Sequence, residues 1–298
     1  MNYPVTIVIP AYNAENFLAE QLERVTQLEL PKESEVLVVN NRSTDSTPSI
    51  IDGFAITYSY IKRVDALERS GVNYARNTGV CAAGTDNIFI FDADDLLLPA
   101  AVNQFVRILE VADFAGAGYV YYTYNASRNS YSPGASVTFA PHTPHNKPYA
   151  LGAAMGFKKS WFEKVGGFDE SYQGGHDEVD FALRLYAKGA QFEWFPEPVI
   201  LYRQRDSHVS AFKQKFNYGR TSVQLACNFR SELGETVPGF KMLVRKQVWS
   251  IISFFKNMSD SEKLKIELEG LAWTSGRLYG ALIYCLLNKL PAREIFKL

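Results

Sequence analysis

Short apolar runs alternate with helix-forming segments through the N-terminal third of the chain, and this alternation restricts it to few folds. The apolar runs are Val5–Ile9, Val36–Val39, Ile56–Ile61 and Ile88–Phe91. The segments between them predict helices over 15–28, from the polar turn at 40–45 to about Gly53, and over 72–83. Strands that alternate with helices form a mostly parallel sheet covered by helices. The pattern therefore predicts an α/β fold with ligands at the carboxyl ends of the strands.

The composition is that of a folded chain. With 298 residues, 47% hydrophobic and 14% aromatic, the sequence is too apolar for a disordered protein. Its formal net charge of -1 gives no indication of nucleic-acid binding. The N-terminus lacks the pattern of a signal peptide, and no apolar stretch reaches the ~18 residues of a membrane span. We therefore expect a cytoplasmic protein, one that rests on the inner face of the cell membrane if its C-terminal part contacts lipid.

Charge divides the chain near Arg205. Residues 206–298 contain 14 Lys or Arg against 8 Asp or Glu, a net +6, whereas the residues before them carry −7. The pattern after this point is helical, with basic residues between two apolar segments near 249–255 and 271–287. We predict an α/β part over 1–205 and a helical part over 206–298. Packing within the chain, contact with an anionic membrane and homodimerisation remain open for the apolar segments.

A group of carboxylates follows the fourth predicted strand, in the sequence Asp92-Ala93-Asp94-Asp95. Two carboxylates separated by one residue can bind a divalent cation, which in turn bridges phosphate oxygens. The alternative is a turn whose aspartates cap the following helix. The position directly after a buried strand favours the metal site.

A second acidic group, Asp177-Glu178-Val179-Asp180, begins an amphipathic helix. One of its carboxylates could act as a general base toward a hydroxyl acceptor, although acidic residues are also common in a first helical turn. Positive charge for a diphosphate leaving group could come from Arg76, Arg203, Arg205 and His208, of which Arg76 is the preferred candidate.

Five motifs follow one another in order along the chain. They are Ile9-Pro10-Ala11-Tyr12-Asn13, Val38-Val39-Asn40-Asn41-Arg42-Ser43-Thr44-Asp45, Ala75-Arg76-Asn77-Thr78-Gly79, Phe91-Asp92-Ala93-Asp94-Asp95 and Gly166-Gly167-Phe168-Asp169. Together they resemble the family 2 glycosyltransferases over roughly Pro4 to Arg220. The resemblance implies the GT-A fold, a Rossmann-like, mostly parallel central sheet flanked by helices. Residues 1–95 would be the nucleotide-sugar-binding half of the catalytic domain, 96–205 the acceptor-binding half, and 206–298 a helical C-terminal extension.

The resemblance also implies roles for individual residues. The donor-binding positions would be Pro10, Ala11, Tyr12, Asn40, Arg76, Asp92, Ala93 and Asp94. A divalent cation, Mn²⁺ or Mg²⁺, would be held by Asp94 and Asp92. The catalytic base would be Glu178, with Asp177 as the second choice. Further candidates for contacts with the diphosphate or the acceptor are Asp180, Arg203, Arg205 and His208.

This chain departs from the family pattern at three places. The family usually has Asp-Asp where this chain has Asn40-Asn41, glycine where it has Arg42, and the order Glu-Asp where it has Asp177-Glu178. An asparagine both donates and accepts hydrogen bonds, whereas an ionised aspartate only accepts. The choice of nucleobase therefore stays open, with UDP first and GDP or dTDP as alternatives.

The activity implied by the resemblance is a metal-dependent, inverting transfer of a sugar from a nucleotide-diphosphate sugar to a hydroxyl group. The acceptor would be a saccharide or a lipid-linked saccharide in cell-envelope or exopolysaccharide synthesis. The alternative is a non-catalytic protein of the same fold that binds a nucleotide sugar or glycan as a sensor or scaffold. A sugar-phosphate nucleotidyltransferase is disfavoured, because Pro10-Ala11-Tyr12-Asn13 stands where that class needs a glycine-rich phosphate loop.

Overall fold

The computed structural model describes residues 3–125, 130–204, 208–230 and 239–295. It divides into two compact units. The first comprises Met1–Glu170, Glu178–Gln204 and Ile295–Leu298, and the second Ser171–Asp177 and Arg205–Glu294. The functional domains that we predict over 1–205 and 206–298 stay predictions.

The described residues form strands and helices in alternation, followed by helices alone. The strands are β1 (Val5–Ala11), β2 (Glu35–Asn40), β3 (Ile61–Asp65), β4 (Asn87–Phe91), β5 (Leu96–Leu97), β6 (Phe114–Asn125), β7 (Ser130–Val137), β8 (Ala154–Lys158) and β9 (Phe192–Arg203). The helices are α1 (Leu18–Thr26), α2 (Thr47–Thr57), α3 (Val72–Ala82), α4 (Ala101–Ile108), α5 (Lys159–Val165), α6 (Asp177–Ala187), α7 (His208–Asn228), α8 (Phe240–Asn257) and α9 (Ser261–Gly280). A π-helix, Ala281–Leu286, continues α9.

All nine strands belong to one sheet in the first unit. The strand order is β3-β2-β1-β4-β8-β6-β9-β5, and β7 pairs with β6 beside this path. The first four strands are mutually parallel, and β6 also runs parallel to β9. β8 is antiparallel to both β4 and β6. The parallel half ends in the loops after β1, β2 and β4, which carry three of the motifs found in the sequence.

β1 lies inside the sheet with both faces covered. Ile7 and Ile9 belong to one hydrophobic cluster, and Val8, which points to the other face, belongs to a second. Successive residues of a strand point to opposite faces, so a strand buried on both sides needs an uninterrupted apolar run. This explains why Val5–Ile9 could be recognised as a strand from the sequence.

Our prediction of the third strand was wrong in position. Helix α2 extends through Gly53 to Thr57, so the strand begins at Ile61 instead of Ile56. The Tyr58 N–H closes the helix on the Phe54 carbonyl at 2.8 Å, and the side chain of Ile56 is exposed. The alternation of apolar and polar residues over 56–61 therefore covers the end of α2 at Thr57, the turn that follows it and the first residue of β3.

Further elements differ from the sequence predictions. The four prolines between Asn125 and Pro148 predict a long polar connection, but this segment contains β7, a strand that pairs with β6 alone, and such an edge position tolerates Pro133. The apolar runs Phe192–Phe195 and Val199–Tyr202 predict two strands at the end of the sheet, but they form a single strand, β9, whose register with β6 shifts near Gly118. β8 and α5 had no counterpart in the predictions.

The second unit is built around the crossing of α7 and α9. A Cβ atom added at Gly219 would collide with the Trp273 carbonyl, and one added at Gly276 would collide with the Phe216 carbonyl. The two glycines therefore allow the helix backbones to approach each other closely. Within the described residues, no helix has both the length and the apolarity needed to cross a bilayer.

Candidate functional site

The loops after β1 and β2 are held together by hydrogen bonds. Ala11 pairs with Asn40 in the parallel ladder. Beyond the ladder, the Asn13 side chain accepts the Thr44 N–H at 2.8 Å, and the Asn13 N–H donates to Ser43 Oγ at 3.1 Å. Tyr12, in the loop after β1, is 63% exposed.

The two asparagines after β2 use both ends of their amide groups. Asn40 donates from Nδ2 to Asp65 Oδ1 at 2.8 Å and accepts the Ser43 N–H at 3.1 Å. Asn41 donates from Nδ2 to the carbonyls of Ala66 and Arg69, both at 2.7 Å, and accepts the Gly71 N–H at 2.8 Å. An ionised aspartate could not make these donations, so asparagine at both positions fits the loop that this chain has.

Arg42, the next departure from the family pattern, has a φ of 61°. This is the left-handed region that glycine adopts without steric cost. The backbone conformation explains why glycine is usual at this place in the family, and this chain reaches it with an arginine.

Three carboxylates meet where β4 ends. One oxygen from each of Asp92, Asp94 and Asp95 lies within 4.8 Å of the others. Asp95 is buried and accepts the Arg203 N–H at 2.8 Å, which ties the turn to β9. Asp92 and Asp94 are partly exposed. The arrangement offers hard oxygen ligands from two neighbouring, accessible carboxylates.

Two side chains that the sequence analysis missed support this turn from behind. Gln21 on α1 donates to the Asp92 carbonyl at 3.2 Å and accepts the Leu97 N–H at 2.9 Å. The Tyr122 hydroxyl donates to the Asp94 carbonyl at 3.1 Å. No local pattern marks either residue, because each lies in a regular element far from the turn in sequence.

Arg76 extends from α3 to the carboxylates. Its Nη2 lies 3.2 Å from Asp92 Oδ1, and the side chain is almost fully buried. The guanidinium lies 5.6 Å from the centre of the Phe168 ring. Gly152 leaves room for it, since a Cβ atom there would come within 2.6 Å of Nη2. The structure thus brings together two of the predicted donor residues, and Gly152 shapes the space around them.

Gly152→Ala is expected to move the Arg76 guanidinium away from Asp92, because the end of this side chain yields more easily than the backbone. The variant should weaken donor binding by about tenfold, or about 1.4 kcal/mol, with little change in melting temperature. Isothermal titration with the nucleotide that most raises the melting temperature, among UDP, GDP, dTDP and CDP, measures the effect. Gly53→Ala, where a new Cβ meets nothing within 4 Å, is the matched control. Equal donor affinity in the two variants would contradict this role of Gly152.

The start of α6 separates the acidic residues into different environments. Asp177 and Asp180 are buried, whereas Glu178 is partly exposed. Asp180 Oδ2 accepts Arg184 Nε at 2.7 Å, and Arg184 Nη1 donates to the carbonyls of Val165 and Gly167. This network fixes α6 to the turn that carries the fifth motif.

The segment before α6 is tied to α7 within the second unit. Arg220 Nη2 donates to the Gln173 carbonyl at 2.6 Å. His176 Nδ1 lies 2.9 Å from Thr221 Oγ1, whose own proton is directed to the Asn217 carbonyl at 2.8 Å. The histidine is therefore the donor, and Nδ1 carries a proton. Burial lowers the pKa of His176 to about 4, the nearby charge of Arg277 adds to this effect, and the Asp177 carboxylate opposes it.

His176 is expected to make stability fall with acidity. Between pH 6.5, its ordinary pKa, and about 4 the unfolded chain binds a proton that the folded chain does not. The stabilisation is therefore present above 6.5 and decreases as the pH falls toward 4, by up to about 2 kcal/mol at pH 5. His176→Asn removes the titration and suits the φ of 64°. Denaturant unfolding should show a smaller loss between pH 7 and 5 in the variant, and equal losses would contradict the prediction.

The remaining predicted contact residues are scattered. Arg203 lies at the end of β9 with its guanidinium 3.7 Å from the centre of the Phe17 ring. His208 is exposed at the start of α7 in the second unit. Arg205 lies outside the described residues. Pro10 and Ala11 end β1, and Ala93 is buried in the carboxylate turn.

The sheet, with its parallel half ending at the paired loops and the carboxylate turn, has the GT-A fold of sugar-nucleotide-dependent glycosyltransferases. The chain belongs to glycosyl transferase family 2, whose family model matches residues 6–166. A second model, described as glycosyl transferase family group 2, matches residues 87–254.

A named relative agrees with this assignment. The chain is 22% identical over 267 residues to the "Probable glycosyltransferase YdaM" of Bacillus subtilis (strain 168), an alignment that covers 84% of this chain and 61% of the relative. The chain thus spans less than two thirds of that relative's length.

Among solved structures, the mannosyltransferase PcManGT from Pyrobaculum calidifontis, in complex with GDP-Man and Mn²⁺, matches with a TM-score of 0.61 at 18% identity. The match covers 92% of this chain and 87% of PcManGT. S. aureus TarS 1–349 in complex with UDP-GlcNAc matches with a TM-score of 0.55 at 13% identity, covering 91% of this chain and 90% of TarS 1–349. At these identities the likeness is one of fold.

Proposed function

We propose that this chain is an inverting glycosyltransferase that moves a sugar from a nucleotide-diphosphate sugar to a hydroxyl group of a saccharide or lipid-linked saccharide. The observation that carries the proposal is the meeting of Arg76 with Asp92 in the carboxylate turn after β4. The Arg76 guanidinium and the three carboxylates lie together at the carboxyl end of β4, a parallel strand, where open α/β sheets bind ligands.

The donor is bound by the loops after β1, β2 and β4. Pro10 and Ala11 form the end of β1, and the exposed ring of Tyr12 offers a flat surface to the nucleoside. Asn40 ends β2 beside Ala11, its partner in the parallel ladder. Asp92, Ala93 and Asp94 face the diphosphate, and Arg76 holds Asp92 in place and stabilises the negative charge that develops on the leaving group.

The donor set fits a divalent cation. Asp94 and Asp92 would hold Mn²⁺ or Mg²⁺, since both ions prefer carboxylate oxygens and these two carboxylates are partly exposed. Such an ion, when bound, supplies positive charge to the diphosphate. Asp95 is not assigned to the ion, because its buried carboxylate accepts a hydrogen bond from the Arg203 N–H.

Glu178 is the preferred base for the acceptor. It is partly exposed and belongs to the same unit as the carboxylate turn, whereas Asp177 is buried. The Glu178 carboxylate removes the proton of the acceptor hydroxyl, whose oxygen attacks the anomeric carbon opposite the diphosphate. The bond to the diphosphate breaks as the new bond forms, so the configuration inverts. Asp180 contributes by fixing α6 through Arg184.

Two neighbours in fold bind different nucleotide sugars. PcManGT was solved with GDP-Man and TarS 1–349 with UDP-GlcNAc, so the fold accommodates both nucleotides. UDP remains our first choice. GDP and dTDP stay as alternatives, because Asn40 stands where the family usually has an aspartate. We place the reaction in cell-envelope or exopolysaccharide synthesis at the inner face of the membrane.

A thermal-shift experiment tests the proposal. The protein is heated with UDP, GDP, dTDP or CDP, each with Mn²⁺, Mg²⁺ or EDTA. One nucleotide at about 100 times its dissociation constant should raise the melting temperature by about 5 °C or more, and only with metal. Incubation of the protein with the corresponding nucleotide sugar should then release the nucleotide slowly, with water in place of the acceptor hydroxyl, and faster when a suitable glycan acceptor is added.

The other outcomes separate the alternatives. Binding without any release of nucleotide, with or without added glycans, would favour the non-catalytic sensor or scaffold. Stabilisation that persists in EDTA would contradict metal-dependent binding and would shift the diphosphate site toward Arg76. Absence of any shift would contradict the donor site itself.

A further inference from the structure

Helix α8 turns polar side chains toward the protein. Gln247 donates from Nε2 to Ser275 Oγ on α9 at 2.8 Å. The Ser253 hydroxyl donates to Glu267 Oε1 at 2.7 Å, and Asn257 donates to the same oxygen at 2.8 Å. A helix on the surface of a protein in water usually presents an apolar face to the core and a polar face to solvent. Between Gln247 and Asn257 of α8, polar side chains instead face α9.

The outward face of α8 is apolar. Val244, Val248, Ile251, Ile252 and Phe255 are spaced by four, three, one and three residues, which places them on one side of the helix. All five are exposed, Ile252 to 53% and Phe255 to 66%. Five large apolar side chains in one continuous stripe are more than the scattered exposure of an ordinary surface. The stripe therefore indicates an apolar or interfacial partner.

The charges of α8 identify that partner. Lys241, Arg245, Lys246 and Lys256 are all exposed, and the helix contains no acidic residue. Phosphate groups of anionic lipids complement such a set of cations. Trp249, exposed to 71%, has the ring type that concentrates at the boundary between headgroups and acyl chains.

A second copy of the chain is a poorer match. A symmetric dimer brings the same patch of both subunits together. Two α8 helices would then place six cations, Lys241, Arg245 and Lys256 of each, beside one contact with no acidic residue from either helix, and like charges repel at such distances. A bilayer with anionic headgroups meets both the apolar stripe and the cations.

We propose that α8 is a membrane-surface helix. It lies along a bilayer that contains anionic phospholipid, with its apolar stripe among the upper acyl chains and three of its cations on lipid phosphates. At 3.6 residues per turn, Lys241, Arg245 and Lys256 project beside the stripe on one flank, where they reach the headgroups, whereas Lys246 lies on the opposite side of the helix.

Sedimentation of the full chain with vesicles tests the proposal. One set of vesicles is pure phosphatidylcholine, and the other contains about one-third phosphatidylglycerol. The protein should pellet with the anionic vesicles at low salt, and about 0.5 M salt should release most of it. The tryptophan emission should shift to shorter wavelength on binding, and Trp249→Phe should remove most of this shift. Failure of the unmodified chain to bind anionic vesicles would overturn the proposal.

Two sets of variants distinguish the two parts of the contact. Ile252→Ser with Phe255→Ser should lower the partition constant at least about tenfold, while Ile56→Ser, at an exposed isoleucine of α2, should leave it unchanged. Lys241→Gln with Arg245→Gln and Lys256→Gln should lower binding to anionic vesicles about 100-fold and leave binding to phosphatidylcholine alone unchanged. Circular dichroism confirms that each variant is folded. Unchanged binding in the serine pair would overturn the assignment to α8.

Sedimentation velocity without lipid tests whether a second copy of the chain covers the apolar stripe. A dimer that the Ile252→Ser and Phe255→Ser pair converts to monomer would show that a second copy covers the stripe and would overturn the membrane assignment. A monomer at all concentrations supports it. The binding assays contain no nucleotide sugar, so their outcome is independent of the proposed sugar transfer.

Discussion

Asp94→Asn is expected to lower the rate of nucleotide release from the donor sugar by about 100-fold or more. The substitution keeps the size of the side chain and removes one negative charge from the three carboxylates that meet after β4. Removal of a like charge from this cluster relieves repulsion, so the melting temperature without ligand should stay the same or rise slightly. Loss of activity would then follow from the site and not from unfolding.

A second readout for Asp94→Asn does not depend on turnover. The metal-dependent part of the nucleotide-induced thermal shift should disappear, because one of the two accessible carboxylates is gone. Asp52→Asn is the control, since Asp52 is a surface aspartate paired with Arg63 on the first unit. Full activity together with an unchanged metal response in Asp94→Asn would exclude Asp94 as a metal ligand.

Much of the first half of the fold follows from its sequence. The parallel strands are buried on both faces, so β1, β2 and β4 need uninterrupted apolar runs, and such runs are visible without a structure. β8 is similarly buried and as long as β4, but it contains Gly156 and follows a proline-containing segment, so its run resembles a loop. The third strand was misplaced for a related reason. Over so few positions, the alternation of apolar and polar residues at the end of α2 cannot be distinguished from that of a strand.

The candidate site could be predicted only where it consists of local motifs. The carboxylate turn and the acidic start of α6 lie within a few residues of sequence. The support of the turn does not: Gly152 and Arg76 are 76 positions apart, and their contact depends on how β8 and α3 are placed by the whole sheet. Contacts between distant residues outside the site could not be predicted either. Cys227 and Cys285 are far apart in the chain, but their Sγ atoms lie 3.7 Å apart.

Asn41→Asp is expected to destabilise the first unit by about 3 to 4 kcal/mol, although it restores the residue that the family usually has. The change replaces two N–H donors by a carboxylate oxygen that faces the carbonyls of Ala66 and Arg69, in a position only 4% exposed. Both carbonyls lose their partner, and the new buried negative charge keeps only the Gly71 N–H that Asn41 already accepts. The melting temperature should fall by about 10 °C.

Asn40→Asp is the matched comparison. Its carboxylate would still accept the Ser43 N–H and would meet a single carboxylate, Asp65, whose side chain is 37% exposed. The loss should therefore be about 1 to 2 kcal/mol, because solvent screens this pair. Protonation offers a further distinction. The carboxyl group that Asn41→Asp introduces regains one donor when it is neutral, so the deficit of this variant should shrink between pH 8 and pH 5. Equal deficits in the two variants at both pH values would show that the loop from Ala66 to Gly71 does not depend on the Asn41 amide, and the departure from the family pattern would then need another cause.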